Sequence, residues 1–126
     1  MINTIANSIT QDNGKHNWID QNNIVFGFDH YERWDEDFGW GVYDPVTKEK
    51  VADEPDGLPY HFDFASGAKE NDSAAYRVNE DGDSPNDWVQ VELVHDTNPK
   101  KRLVLECYNY HNGYYYHDFS FFKKEA

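Results

Sequence analysis

The run Trp88-Val89-Gln90-Val91-Glu92-Leu93-Val94-His95, the turn Asp96-Thr97-Asn98-Pro99-Lys100 and the run Arg102 to Tyr110 decide the fold. In the first run Val89, Val91 and Leu93 alternate with Gln90 and Glu92, the period of two that turns one face of a strand inward. The five residues after it carry turn chemistry, with Asp and Asn able to bond their own backbone and Pro presetting φ. Strands joined by so short a link are antiparallel, because a parallel pair needs a long crossover. Beyond Tyr110, His111-Asn112-Gly113 reads as a second turn and Tyr114 to Phe122 as a further strand. Asn-Gly suits the type I′ hairpin turn, which needs φ > 0 at both central residues. With Asn112-Gly113 as a two-residue loop, Tyr108 pairs with His117, Glu106 with Phe119 and Val104 with Phe121. Tyr108, Tyr110, Tyr115, His117, Phe119 and Phe121 then share one face.

The same periodicity extends toward the N-terminus. Pro59 to Ala65 alternates, with Tyr60, Phe62 and Phe64 on one face and His61, Asp63 and Ala65 on the other. Ala74 to Val78 reads as a weak strand and Glu49 to Ala52 as a short one. Phe38 to Tyr43 is a strand whose Gly39 and Gly41 lie opposite Phe38, Trp40 and Val42. Glycines so placed leave space above the sheet for a neighbouring ring, a backbone or a ligand. Ile24 to Phe28 is a short apolar run that reads as a buried strand. Residues 1–22 are a polar N-terminal segment in which Ile2, Ile5 and Ile9 recur at helical spacing, a candidate short helix. Residues 23–126 form a single antiparallel β domain. The expected class is mainly β (or α+β): an antiparallel curved sheet or small sandwich of six to seven strands ending in a three-stranded meander, with at most one short helix.

Composition bounds the function. With 126 residues the chain has room for one core. Aromatics at 17% exclude an acidic disordered tail, which would be poor in them. No apolar run approaches a membrane span, and the first residues lack the basic start and apolar stretch of a secretory signal. A single cysteine, Cys107, excludes an intrachain disulfide and multi-cysteine zinc and fits a reducing cytoplasm, bacterial or that of a host. Twenty-four Asp and Glu against eleven Lys and Arg give a net charge of −13. That balance opposes contact with phosphates or anionic lipid, and favours a basic protein partner. It also serves solubility by itself. Residues 1–99 are net −15 and residues 100–126 net +2, so the acidity belongs to the first four-fifths of the chain.

The stretch Tyr108-Asn109-Tyr110-His111-Asn112-Gly113-Tyr114-Tyr115 resembles the C-terminal signature of small uncharacterised bacterial and phage domains, in which an Asn-Gly-Tyr-Tyr hairpin precedes an alternating last strand. The likeness covers residues 102–122. It implies a β-rich fold and a phage or mobile-element setting, and no activity.

Motifs for catalysis are sparse. His61 and Asp63, two apart on a strand, and His117 beyond them form a loose metal-ligand set without the spacing of a known motif. The oxygen-rich loop from Asn79 to Asp87 lacks the spacing of a calcium-binding EF-hand. Ser66 stands in Phe-Ala-Ser-Gly-Ala, which lacks the first glycine of a nucleophile elbow. There is no Gly-rich phosphate loop, no cofactor is implied, and no residue is assigned a catalytic role.

Acids interleaved with rings carry the leading expectation. Asp29, Tyr31, Glu32, Trp34, Asp35, Glu36 and Asp37 form one such segment; Asp53, Glu54 and Asp56 a second; Glu80, Asp81, Asp83 and Asp87 a third. Spaced carboxylates can imitate DNA phosphates, and rings among them can anchor a partner's Arg or Lys. The expected function is that of a non-catalytic acidic protein-binding inhibitor of a basic nucleic-acid-handling enzyme. An anti-CRISPR or anti-restriction DNA mimic of phage type and a toxin-immunity protein are its two settings. The alternative is a small-ligand or glycan-binding domain using Tyr108, Tyr110, Tyr115 and His117. The third is a metal-assisted hydrolase.

Overall fold

A computed structural model describes residues 1–5, 15–29, 37–110 and 118–125. Ten strands lie among them: β1 (Asn3–Thr4), β2 (Lys15–Ile19), β3 (Ile24–Asp29), β4 (Asp37–Tyr43), β5 (Lys50–Ala52), β6 (Tyr60–Phe62), β7 (Ala68–Glu70), β8 (Asp87–His95), β9 (Arg102–Tyr110) and β10 (Phe119–Lys123). They form two antiparallel sheets, one ordered β1-β2-β3-β10 and one ordered β5-β4-β9-β8-β6, with β7 also pairing β8. The mainly β class and the sandwich-like arrangement agree with the alternation. The one helical element described is a 3-10 turn at Phe64–Ser66. No helix among the described residues is long and apolar enough to cross a membrane.

The sheets bury one aromatic-rich core between them. Trp18, Phe26 and Phe28 enter it from the four-stranded sheet, and Val42, Val89, Val91, Leu93, Leu105 and Cys107 from the six-stranded one. Trp18 meets Trp40 edge-on at 5.0 Å between ring centroids, and Phe26 meets Phe62 at 6.3 Å. Each fully buried large side chain contributes roughly 2–3 kcal/mol. Inward Val89, Val91 and Leu93 stand as their period predicts, and β8 and β9 form the expected hairpin, closed by the His95 N–H on the Lys101 carbonyl at 3.0 Å.

The last strand departs from expectation. β10 does not return along β9 to complete a three-stranded meander. It pairs with β3 in the other sheet, with Phe119 opposite Phe28 and Phe121 opposite Phe26. Both flanks of β9 are taken by β4 and β8. The expected register would set Phe119 against Glu106, a ring beside a carboxylate. Pairing with β3 instead lets Phe119 and Phe121 pack on Phe26 at 6.1 and 5.7 Å. The expected common face is therefore split: Phe119 and Phe121 face the core, whereas Tyr108 and Tyr110 stand on the outer face of the other sheet. The Asn112-Gly113 turn, with Tyr115 and His117, lies outside the described residues.

Three smaller departures from expectation follow. Ala74 to Val78 is not a strand, because the free side of β8 is already filled by β6 and β7. The strand expected over Pro59 to Ala65 stops at Phe62, because the Asp63 carboxylate caps the 3-10 turn through the N–H and hydroxyl of Ser66. In the segment 1–22, Asn3–Thr4 and Lys15–Ile19 are strands rather than helix, and Ile2 and Trp18 are fully buried. Ile9 lies outside the described residues.

Candidate functional site

Strand register gathers one group of the acidic residues. Asp37 opens β4 opposite Tyr110, and Asp87 opens β8 opposite Asn109, so both stand at the same end of the six-stranded sheet. The loop carrying Glu80, Asp81 and Asp83 is brought to that end by the Tyr110 hydroxyl, which donates to the Asp83 carbonyl at 2.9 Å. The Asn79 side chain shapes this loop by accepting the N–H groups of Asp81 and Asp83, each at 2.9 Å. Asp37, Glu80, Asp81 and Asp83 are exposed, and Asp87 is half-buried with Asn71 bonded to its carboxylate at 3.2 Å. Asp29 closes β3 in the other sheet. Tyr31, Glu32, Trp34, Asp35 and Glu36 lie outside the described residues.

The second acidic group is elsewhere. Asp53, Glu54 and Asp56 are exposed on the link from β5 to β6, next to β1. Asp53 pairs with Lys50, and Asp56 accepts the Thr4 hydroxyl at 2.7 Å. Lys100 and Lys101 occupy the β8–β9 turn, at the far end of β9 from Tyr110. That far end mixes charges: Arg102 lies against Asp63 and Glu92, and Asp96 against the amino terminus.

The outer face of this sheet is not open. Gly39, Gly41 and Tyr43 of β4, Glu106, Tyr108 and Tyr110 of β9, and Trp88 and Gln90 of β8 share it by register. Residues 71–86 lie across it as a strap. The Glu106 carboxylate, fully buried, accepts the backbone N–H of Tyr76 at 2.8 Å, that of Arg77 at 3.0 Å and the Gln90 amide at 2.7 Å. Charge-assisted bonds of this kind are what make a buried carboxylate tolerable. The Gln90 amide also donates to the Ala74 carbonyl, and Trp88 Nε1 to that of Ser73.

Rings complete the cover. Tyr76 stacks on Tyr43 with centroids 5.1 Å apart, and the Arg77 guanidinium sits 4.9 Å above the Tyr108 ring. Burial, reinforced by the neighbouring Glu106 charge, pushes the Tyr43 phenol up to about 12. The space that Gly39 and Gly41 were expected to leave is filled from within the chain. A Cβ on Gly39 would come within 2.6 Å of the Tyr108 hydroxyl, and one on Gly41 within 3.1 Å of the Tyr43 ring.

Metal and nucleophile candidates are otherwise engaged. His61 Nδ1 meets Asp96 at 3.0 Å, and Asp63 takes the Ser66 hydroxyl and Arg102. Among the described residues no three His, Cys, Asp or Glu side chains gather as a metal site would need. Burial raises the Cys107 thiol well above its ordinary value, so no thiolate is presented. Glu106, Gln90, Tyr43, Tyr76 and Arg77 were missed by sequence reasoning. Their signal was a lone acid, Glu106, inside the apolar run from Leu103 to Tyr108, which the register sets opposite Gly41. Comparison with protein-family models, curated proteins and solved structures finds no match to this chain.

Proposed function

We propose that this chain is a non-catalytic acidic binding domain that docks on the basic surface of a nucleic-acid-handling enzyme and blocks it. The observation that carries the reading is the convergence of Asp37, Glu80, Asp81, Asp83 and Asp87 at one end of a hydrogen-bonded sheet. Four of the five are exposed, and the loop bearing three of them is pinned by Tyr110 and Asn79. Rigid carboxylates lose little freedom on pairing with Arg or Lys. Carboxylates grouped at one end raise the encounter rate with a basic surface. A phage antagonist of a host nuclease and an immunity protein for a toxic nuclease both fit, each acting in a cytoplasm. The glycan-face alternative is not favoured, since Tyr108 is 8% exposed beneath Arg77.

The test begins with immobilised protein in a native lysate at low salt, eluted by a salt step. The eluted enzyme is then assayed on its nucleic acid with and without the domain. Inhibition relieved by excess nucleic acid supports the reading. The triple variant Asp37→Lys, Asp81→Lys, Asp83→Lys is expected to lose at least a hundredfold in affinity for that enzyme. Unchanged affinity in the folded triple variant removes the acidic end from the interface.

A further inference from the structure

We infer that the outer face of the six-stranded sheet is a groove for a peptide that bends at an aromatic residue followed by arginine, and that residues 73–77 occupy it in cis. The proposal is independent of whether the acidic end binds anything.

The contacts of Ser73-Ala74-Ala75-Tyr76-Arg77 are those by which a protein grips a foreign peptide. Backbone is read at three points: the Ala74 carbonyl by Gln90 at 3.2 Å, and the Tyr76 and Arg77 N–H groups by the two oxygens of Glu106. Side chains are read in two slots. Tyr76 lies against Tyr43, with Lys48 Nζ 5.3 Å from its ring centroid, and Arg77 lies on Tyr108. Main-chain bonds supply grip and side-chain pockets supply selectivity in such sites. The receptor half is built into the sheet. Glu106, Gln90, Tyr43 and Tyr108 are all buried beneath the strap.

The occupant, by contrast, contributes nothing to the core. No residue of 71–84 belongs to the hydrophobic cluster, none forms a strand, and Val78 just beyond the motif is 53% exposed. A hollow of about 330 Å³ lies between the strap and Lys48, lined on the strap side by Ser73, Ala74, Ala75 and Tyr76. A segment that the core does not need can leave without unfolding the sandwich. A tethered occupant competes at an effective concentration on the order of millimolar, so a peptide in trans binds the intact chain weakly and a strap-released chain well.

The probe is the synthetic peptide Ser-Ala-Ala-Tyr-Arg-Val, copied from residues 73–78, measured by calorimetry. The variant Tyr76→Ala with Arg77→Ala releases the strap by removing two side chains that rest outside the sheet. It is expected to bind the peptide at least tenfold more tightly than the unaltered chain. A peptide N-methylated at its Tyr and Arg nitrogens, which cannot donate to Glu106, is expected to lose at least tenfold. Equal affinity of the two proteins, or of the two peptides, overturns the proposal. Should the double variant not fold, hydrogen exchange of the Tyr76 and Arg77 amides in the unaltered chain decides: faster exchange under excess peptide supports the groove, and unchanged exchange rejects it.

Discussion

The Asp20 carboxylate accepts the Phe62 backbone N–H at 2.8 Å and so ties the β2–β3 turn of one sheet to a strand of the other. Its second oxygen takes the N–H groups of Asn22 and Ile24, each at 2.9 Å. Asp20 is 5% exposed. One side chain therefore both shapes a turn and fixes how the sheets meet. Asp20→Ala is expected to cost about 3 kcal/mol, at roughly 1 kcal/mol for each orphaned donor. Urea unfolding checks this, and a loss below about 1 kcal/mol would show that water replaces the carboxylate.

Gly39 faces a filled site. Gly39→Ala is expected to destabilise by about 1–3 kcal/mol, because the new methyl overlaps the Tyr108 ring beneath Arg77. In a Tyr108→Ala background the same change should cost much less. A double-mutant cycle with no coupling would show that the ring simply moves aside.

Tyr43 sets an alkaline limit. Its phenol is raised from the ordinary 10.0 to about 12 by burial, so the folded chain keeps a proton that the unfolded chain gives up. The stability this lends is complete below pH 10 and drains away as pH rises toward 12. Tyr43→Phe cannot ionise. Its thermal midpoint should fall less steeply than that of the unaltered chain across this window, and parallel profiles would assign the alkaline loss to other groups.

Asp63 sets an acid limit of opposite sign. Hydrogen bonds from Ser66 and Arg102 hold its carboxyl below the ordinary 3.8. Its contribution is present above that value and is lost as pH falls through the lower folded one. Arg102→Ala should therefore lower stability at pH 7, and its deficit against the unaltered chain should shrink as pH falls below the ordinary 3.8. A deficit that is the same at neutral and acid pH would remove this cluster from the acid response.

Much of this was legible and some was not, for physical reasons. Inward Val89, Val91 and Leu93 and the turn after His95 were readable because alternation and turn chemistry are local. The partner of β10 was not. Asn112-Gly113 announces a reversal but not the strand beside which the chain lands, and the aromatic surface around Phe26 belongs to a distant stretch. The acidic end was half legible: the residue types were plain, but their grouping depends on Asp37 and Asp87 meeting Tyr110 and Asn109 across strands. Glu106 was passed over because an outward acid on a strand ordinarily faces water. Here the strap shields it, and nothing in the order of residues 71–86 shows which way they cross.

The exchange of β10 into the four-stranded sheet also sets an order of assembly. The six-stranded sheet draws all its strands from residues 37–110, an unbroken stretch, whereas its partner sheet needs β1 to β3 and then β10. On a ribosome the six-stranded sheet has every strand in hand while Phe26 still lacks the rings of Phe119 and Phe121. The sandwich is closed by its last strand, as a zip fastener is closed by its slider, and a polymerase or ribosome that stops short of residue 119 leaves an open, aromatic-lined seam for quality-control proteases to find.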